Sequence, residues 1–265
     1  MTSVYDRFVS LHQAGSRLLL PNPWDAGSAR LLAFLGFNAL ATTSGGFATT
    51  LGRRDGEVTR DEALHHAREI VAASDLPVNA DLENGFADAP ADVAQTVLAA
   101  AETGLAGCSI EDYTGTAGAP IYELEHAAAR IEAAAEAAAG RLVLTARAEN
   151  FLHDRDDLAD TINRLERYQQ AGADVLYAPG LTRDADISIV LRAVDRPLNV
   201  LLLPSGPSAD ELFDLGVTRV SLGSSLAYAA YGALVDAAQQ LLAGQRFSFW
   251  QSVSAGRDAA ATAFR

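Results

Sequence analysis

The feature that most restricts the fold of this chain is a regular alternation of short apolar runs with helix-forming segments. Apolar runs of about four to eight residues are typical of buried strands and are too short for helices. Eight runs are therefore predicted as strands, at residues 17–21, 38–44, 77–81, 105–112, 141–147, 174–180, 198–204 and 218–223. The clearest helices are predicted at residues 59–74, 89–104, 123–140, 156–172 and 224–244.

Eight strands, each followed by a helix, predict a single (β/α)8 TIM-type barrel, and 265 residues is an ordinary length for one. We expect one domain over residues 1–265, with the barrel at about 17–223 and a C-terminal helical extension at 224–265. A doubly wound open sheet is the competing architecture. Polar residues at the C-terminal ends of the strands favour the barrel, because barrel active sites are built on that rim.

Charge and composition exclude several classes of function. The net charge of −14 disfavours nucleic acid and anionic membranes as partners, since both require a basic surface. All 20 basic residues are arginines, which excludes mechanisms based on a Schiff-base lysine or a P-loop lysine. A single cysteine, Cys108, excludes an internal disulfide and a cysteine-based zinc site. With no apparent signal peptide and no long apolar span, we expect a soluble cytoplasmic protein.

Polar side chains follow most of the predicted strands. They are Asn22, Asp25, Ser44, Asp81, Glu83, Glu111, Asp112, Arg147, Glu149 and Ser205. Strand alternation predicts that Asp81 and Glu83 project to the same side. With Glu111 and Asp55 they would form an oxygen-only anionic cluster, which suits a hard divalent ion such as Mg²⁺ that keeps several waters. The alternative, that loop acids of an acidic protein are simply solvated, stays open, above all for Asp55.

Two further features of the rim suggest anion binding. Arg147 ends the fifth strand, where its guanidinium could bind a substrate carboxylate through two parallel hydrogen bonds or could instead neutralise the acids. Ser44, Gly45 and Gly46 are predicted in a loop whose backbone N–H groups could hold an oxyanion.

Other candidate groups are less favoured. Alternation places Cys108 on the face opposite Glu111, which predicts a buried and unreactive thiol. None of the five histidines falls at a predicted strand end, which disfavours a histidine base or zinc site; His153 lies nearest, after Arg147. Segments 204–208 and 223–225 follow the last two strands, where many barrels bind phosphate, so a phosphate-handling enzyme is an alternative.

Six segments, in order along the chain, resemble the isocitrate lyase/phosphoenolpyruvate mutase superfamily over roughly residues 15–230. They are PNPWDAGSA (21–29), TTSGG (42–46), GRRDG (52–56), NADLENGF (79–86), SIED (109–112) and TARAEN (145–150). The resemblance implies a Mg²⁺-dependent barrel, with Mn²⁺ as the alternative metal, that binds a 2-oxo acid or its enolate. It also implies a homo-oligomer, tetramer or dimer, in which the last helix packs on a neighbouring subunit.

The resemblance also assigns roles to residues. Asp81 would bind the metal directly, and Asp55, Glu83 and Glu111 would hold metal-bound waters. The 2-oxo acid would be surrounded by Trp24, Ser44, Gly45, Gly46, Asp81 and Arg147. Catalysis is expected to involve Ser44, Glu111 and Arg147.

The chain departs from the superfamily pattern in ways that affect the expected reaction. Glu83 stands where an aspartate is usual, and loop 113–123 lacks the cysteine and lysines of isocitrate and methylisocitrate lyases. The lysine- and asparagine-bearing loop of the phosphonate mutases is absent as well.

These features together predict a Mg²⁺-dependent carbon–carbon lyase or decarboxylase that acts on a 2-oxo (di)carboxylate through a metal-stabilised enolate. Oxaloacetate is the preferred substrate, because its decarboxylation needs no cysteine acid; a 2-alkylmalate-like or isocitrate-like acid is also considered. The alternatives are a phosphonopyruvate mutase or hydrolase, and a 2-oxo acid binding protein without turnover.

Overall fold

The computed structural model describes residues 2–244 and 248–265, and within them it contains one parallel eight-stranded sheet. The strands are β1 Leu18–Leu20, β2 Leu40–Ala41, β3 Val78–Asp81, β4 Gly107–Glu111, β5 Val143–Arg147, β6 Val175–Tyr177, β7 Leu198–Leu201 and β8 Arg219–Ser221. They pair in the order β2 to β8 and then β1. The Ala41 N–H donates to the Pro21 carbonyl at 3.0 Å, which joins the two ends of the sheet. The predicted (β/α)8 barrel is confirmed, and the open doubly wound sheet is wrong.

Helices follow the strands as expected. Those in the described residues are α1 Val4–Ser10, α2 Ala26–Phe34, α3 Ser44–Thr50, α4 Arg60–Ala73, α5 Pro90–Ala101, α6 Leu124–Ala138, α7 Leu158–Gln170, α8 Asp184–Ala193, α9 Ala209–Leu215, α10 Ser225–Leu242 and α11 Trp250–Ala263. A short 3-10 helix, Asn150–His153, follows β5. The five predicted helices correspond to α4, α5, α6, α7 and α10. The C-terminal extension contains α10 and α11, and its residues 245–247 lie outside the described part.

The main apolar core lies between the barrel and its helices, and it contains Cys108, which is 0% exposed. Cys108 pairs in register with Ala80 of β3 and Leu144 of β5, and both neighbours are buried in the same core. The prediction of a buried thiol is confirmed. A smaller core closes the other end of the barrel, where Phe8 of α1 packs with Leu18 and Leu20.

Within the described ranges, the structure has no helix with the length and apolar character needed to cross a membrane.

Candidate active site

A cavity of about 180 Å³ lies at the C-terminal ends of the strands. Of the predicted site residues, its walls include Asn22, Ser44, Asp55, Asp81 and Arg147. Barrel enzymes carry their active sites at this end of the sheet. The structure therefore brings together residues that are separated by more than 120 positions in the sequence.

Glu83 and Glu111 lie beside this cavity rather than in its wall. Both line a neighbouring and wider cavity of about 600 Å³, together with Tyr113 of loop 113–123. Arg147 connects the two spaces, because its guanidinium contacts both Asp81 and Glu111. The predicted acidic cluster is thus divided between the two sides of Arg147.

Arg147 is surrounded by carboxylates. Its Nε donates to Glu149 Oε1 at 2.8 Å, its Nη1 donates to Asp81 Oδ1 at 3.0 Å, and its Nη2 lies 3.3 Å from Glu111 Oε2. Burial alone would lower the pKa of Arg147, but these three acids outweigh burial and hold it well above the ordinary value. The arrangement is the neutralising one that the sequence left open, and binding of a substrate carboxylate stays a prediction.

The acids around Arg147 carry more negative charge than one guanidinium can balance. Burial, and then the charges of Asp81 and Asp55, raise the pKa of Glu83 to about 8. Burial also raises the pKa of Glu111 well above its usual range, despite the nearby Arg147. Burial raises the pKa of Asp55 too, against a hydrogen bond from Ser44. The region would therefore be stabilised by an added cation.

The donor set limits how such a cation could be bound. Among residues 2–244 and 248–265, no three His, Cys, Asp or Glu side chains converge closely enough to hold one ion directly. A metal would therefore have few direct protein ligands and would keep most of its waters. That description fits Mg²⁺, which dehydrates reluctantly and is usually bound through one or two carboxylates.

Asp81 and Glu83 border the same small pocket. Strand alternation, from which their common orientation was predicted, is not the cause. Strand β3 ends at Asp81, and Glu83 lies in a turn with φ of 49°, a left-handed conformation that is uncommon for a residue with a side chain. The Gly85 N–H closes this turn by donating to the Leu82 carbonyl at 2.8 Å. A turn, and not strand alternation, therefore directs Glu83.

The segment Ser44–Gly46 is also corrected, because it is the first turn of helix α3 and not a loop. Thr43 caps this helix by accepting a hydrogen bond from the Gly46 N–H at 3.3 Å, and the Ser44 N–H donates to Asp81 Oδ2 at 3.4 Å. At Gly45 a Cβ atom would lie 2.8 Å from Ser224 Oγ. A side chain at Gly45 would therefore require the side chains of Ser224 and Asp55 to move.

Several polar residues of the predicted rim do not face the cavities. Asp112 accepts hydrogen bonds from the Tyr168 hydroxyl at 2.6 Å and from Arg164 at 3.2 Å, and so holds the end of β4 to α7. Asp25 is the N-cap of α2. Trp24 packs beside Gly46, but it is not in the wall of either cavity.

Ser205 belongs to a different cavity of about 560 Å³, next to Arg183. The Arg183 guanidinium is paired with Asp186 at 2.6 Å, so its charge is already balanced. Ser224 belongs to the other segment predicted to bind phosphate, 223–225. Its Oγ lies 2.7 Å from Thr43 Oγ1, and it borders the cavity of about 180 Å³.

Loop 113–123 folds back on itself. Tyr113 and Ile121 form an antiparallel bridge, and the Thr114 N–H donates to the Pro120 carbonyl at 2.8 Å. The His153 ring stacks on Tyr113 with 3.9 Å between ring centroids, and its Nε2 is 4.0 Å from Glu149 Oε2. The loop itself contains no cysteine. Cys108 lies in the apolar core, where burial raises its pKa to about 12.

Several residues of the cavity wall were not predicted from the sequence, among them Tyr177 and Arg219. Arg219 lies in β8 and points into the barrel, where its Nε donates to Asn199 Oδ1 at 2.9 Å. The signal that could have found it is a charged residue within the predicted strand at residues 218–223.

Comparisons with known proteins agree with this architecture. The family model described as phosphoenolpyruvate phosphomutase matches residues 8–242. An uncharacterized protein of Mycobacterium tuberculosis is 33% identical over 244 residues, which are 90% of each chain. A 2-methylisocitrate lyase of Bacillus subtilis is 28% identical over 228 residues, 81% of this chain and 73% of that protein. A Burkholderia cenocepacia crystal structure, of a protein assigned as a lyase or mutase by inference alone, is 51% identical with a TM-score of 0.92, over 96% of this chain and 93% of that one.

Proposed function

Because this chain belongs to the phosphoenolpyruvate phosphomutase family, within the isocitrate lyase/phosphoenolpyruvate mutase superfamily, we propose that it is a Mg²⁺-dependent carbon–carbon lyase or decarboxylase acting on a 2-oxo (di)carboxylate. The observation that carries the proposal is the excess of buried carboxylate around a single guanidinium at the catalytic end of the barrel. A bound divalent cation would offset that excess of negative charge and provide a positive centre for an anionic substrate.

The acids fit a hydrated Mg²⁺ ion. Asp81 would bind the ion directly, and Asp55, Glu83 and Glu111 would hold its waters. When bound, the ion would polarise the carbonyl oxygen of the 2-oxo acid and stabilise the negative charge that develops there. Mn²⁺ would serve the same purpose, since oxygen ligands suit both metals.

Arg147 would change partners when the site is filled. Its Nη1 and Nη2 are the nitrogens that now face Asp81 and Glu111, while its Nε is held by Glu149. Once a cation engages the two acids, these nitrogens would be released toward the cavity. Glu149 would keep the guanidinium in place, so that it presents two parallel N–H donors to a substrate carboxylate.

Ser44 and Gly45, at the start of α3, lie against Asp55 and Asp81. Their backbone N–H groups would add donors near the substrate carbonyl oxygen, where negative charge accumulates. Trp24 would cover the same end of α3, next to Gly46.

Oxaloacetate decarboxylation is the reaction that best fits the lack of a thiol in loop 113–123. The C3–C4 bond breaks, carbon dioxide leaves, and the electron pair moves into C2–C3 to give the enolate of pyruvate. Water then protonates C3. No residue of the loop has to donate that proton, which distinguishes this reaction from one that needs a cysteine acid.

Phosphorus–carbon chemistry is the second candidate, and the description of the matching family model favours it. The test is to incubate the protein with oxaloacetate and with phosphonopyruvate, with and without Mg²⁺, and to measure pyruvate and phosphate separately. We expect Mg²⁺-dependent pyruvate from oxaloacetate at a rate above that of an Asp81→Ala control, which corrects for decarboxylation by free metal. Phosphate release from phosphonopyruvate, or its conversion to phosphoenolpyruvate, would support the second candidate. Thermal stabilisation without any of these products would indicate a binding protein and contradict the proposal.

We further propose that the protein is a homo-oligomer, tetramer or dimer, through its C-terminal helices. Leu234 and Leu242 of α10 and Trp250 of α11 are large apolar side chains that are exposed in the single chain, and contact with a second copy would remove them from water. Light scattering coupled to size exclusion should give a multiple of 27.9 kDa, and a monomer at micromolar concentration would contradict this part of the proposal.

A further inference from the structure

Arg219 is a buried cation without a carboxylate partner. It is 3% exposed, and its hydrogen-bond partners are the Asn199 amide oxygen at 2.9 Å, the Thr145 hydroxyl at 3.1 Å and the His12 ring nitrogen at 3.5 Å. Asn199 and Thr145 are neutral groups. His12 is a base, and the positive charge of Arg219 opposes its protonation. Within residues 2–244 and 248–265, no Asp or Glu forms an ion pair with it.

Such a group is costly to bury. A guanidinium stays protonated at neutral pH, and removing it from water is normally offset by a carboxylate or another anion. Neutral dipoles offset only part of that cost. The other deeply buried arginines follow the usual rule or bind several carbonyls: Arg164 pairs with Asp112, and Arg130 donates to the carbonyls of Glu111 and Ala87.

The uncompensated charge acts on its surroundings. Burial first, and then the charge of Arg219, lower the pKa of His12 to about 4, so His12 supplies no second charge at neutral pH. Burial, and also the positive charge of Arg147, lower the pKa of Arg219 to about 10. Neither His12 nor Arg147 therefore compensates the charge of Arg219.

Space for a counter-ion is present. Arg219 borders the cavity of about 180 Å³, whose wall also includes Asn79, Ser109 and Ser221. The Oδ1 atom of Asn79 is buried and has no hydrogen-bond partner, which is rare for a polar atom in a folded protein. The hydroxyls of Ser109 and Ser221 are potential donors for an anion beside the guanidinium.

We propose that Arg219 forms an internal site for one small monovalent anion, below the acidic rim and separate from the metal site. The anion is of chloride or formate size, because the cavity also has to accommodate the substrate above it. A hydroxyl-bearing anion such as bicarbonate would in addition donate to Asn79 Oδ1. The size limit rests on the proposed function, whereas occupation of the site by an anion requires neither metal nor substrate.

The test uses metal-free protein in gluconate buffer at constant ionic strength, into which chloride, bromide, formate or bicarbonate is exchanged. The melting temperature should rise saturably with the small anions and not with gluconate. Arg219→Met should weaken the apparent affinity about 10-fold or more, since it removes a charged hydrogen bond. Arg164→Lys, at a buried arginine that is already paired, should keep the response of the unchanged protein.

A crystal grown in bromide locates the ion directly and does not require the Arg219→Met protein to fold. An anomalous peak within hydrogen-bond distance of Arg219 supports the proposal. Stabilisation that does not saturate, or a crystal with only water beside Arg219, overturns it. A response to bicarbonate alone would identify the occupant as the anion that also satisfies Asn79, and a response to all four would identify it as a general small anion.

Discussion

Arg147 and Arg219 border the same cavity and have opposite electrostatic surroundings. Arg147 ends β5 and contacts Asp81, Glu111 and Glu149, whereas Arg219 begins β8 and contacts neutral groups. The two differ because the acids lie at the carboxyl ends of the strands and in the turns beyond them. Arg147 lies at that end of its strand, whereas Arg219 lies at the start of its strand. Around Arg147 the carboxylates are in excess, so an added cation would stabilise the rim. Around Arg219 no acid balances the arginine, so an added anion would stabilise the interior.

The largest expected effect tests the rim. Asp81→Ala should remove the proposed direct metal ligand and lower Mn²⁺ affinity by more than about 100-fold, while Glu83→Ala, acting through water, should lower it by about 10- to 100-fold. Isothermal titration on the two purified variants measures both. Equal losses would contradict the distinction between a direct and a water-mediated carboxylate, and unchanged affinity in Asp81→Ala would contradict the metal site.

The second prediction concerns the shape of the Arg147 group rather than its charge. Lysine in Arg147→Lys keeps the positive charge but cannot present two parallel donors, so kcat/KM should fall by roughly 10- to 100-fold, corresponding to ~1.5–3 kcal/mol. Arg147→Ala should be only slightly worse. If the lysine variant has full activity, Arg147 serves only to neutralise the acids, as its present contacts would allow.

The third prediction concerns Cys108, on the face of β4 that packs against the helices. Cys108 and Glu111 lie in β4, but Cys108 faces the apolar core. Cys108→Ser should reduce the free energy of unfolding by ~1–3 kcal/mol, since a hydroxyl enters an apolar layer, and kcat should stay close to that of the unchanged protein. Denaturant unfolding and steady-state assays measure the two effects. A stable but inactive serine variant would return the thiol to the mechanism.

The smallest expected effect tests the interior. His12 has a lowered pKa in the folded protein, so between pH 6.5 and about 4 the unfolded chain binds a proton that the native protein does not. The associated stability is present above pH 6.5 and is lost as the pH falls, by about 1–2 kcal/mol between pH 6.5 and 5. His12→Asn should remove this part of the slope in urea unfolding at the two pH values. Parallel slopes for both proteins would mean that His12 is not held neutral.

Much of the site could be predicted because parallel strands bring their carboxyl ends together whatever lies between them. That rule alone brings Asp81, Glu111 and Arg147 into contact. It could not distinguish residues that share a strand end but differ in direction: Asp112 was grouped with Glu111, yet it binds Tyr168 on the helix side. Direction beyond the last strand residue depends on turns that pattern rules do not describe.

The sequence by itself determined the eight-fold repeat, the absence of lysine chemistry and the burial of Cys108, because apolar periodicity and composition are local properties of the chain. Only the tertiary structure decided that Glu83 projects from a left-handed turn, that Ser44–Gly46 starts a helix and that Arg147 is shared by three acids. It also decided that Arg219 has no acid beside it. The physical reason is that charge balance depends on distances between strands that are far apart in sequence, and no local pattern contains those distances.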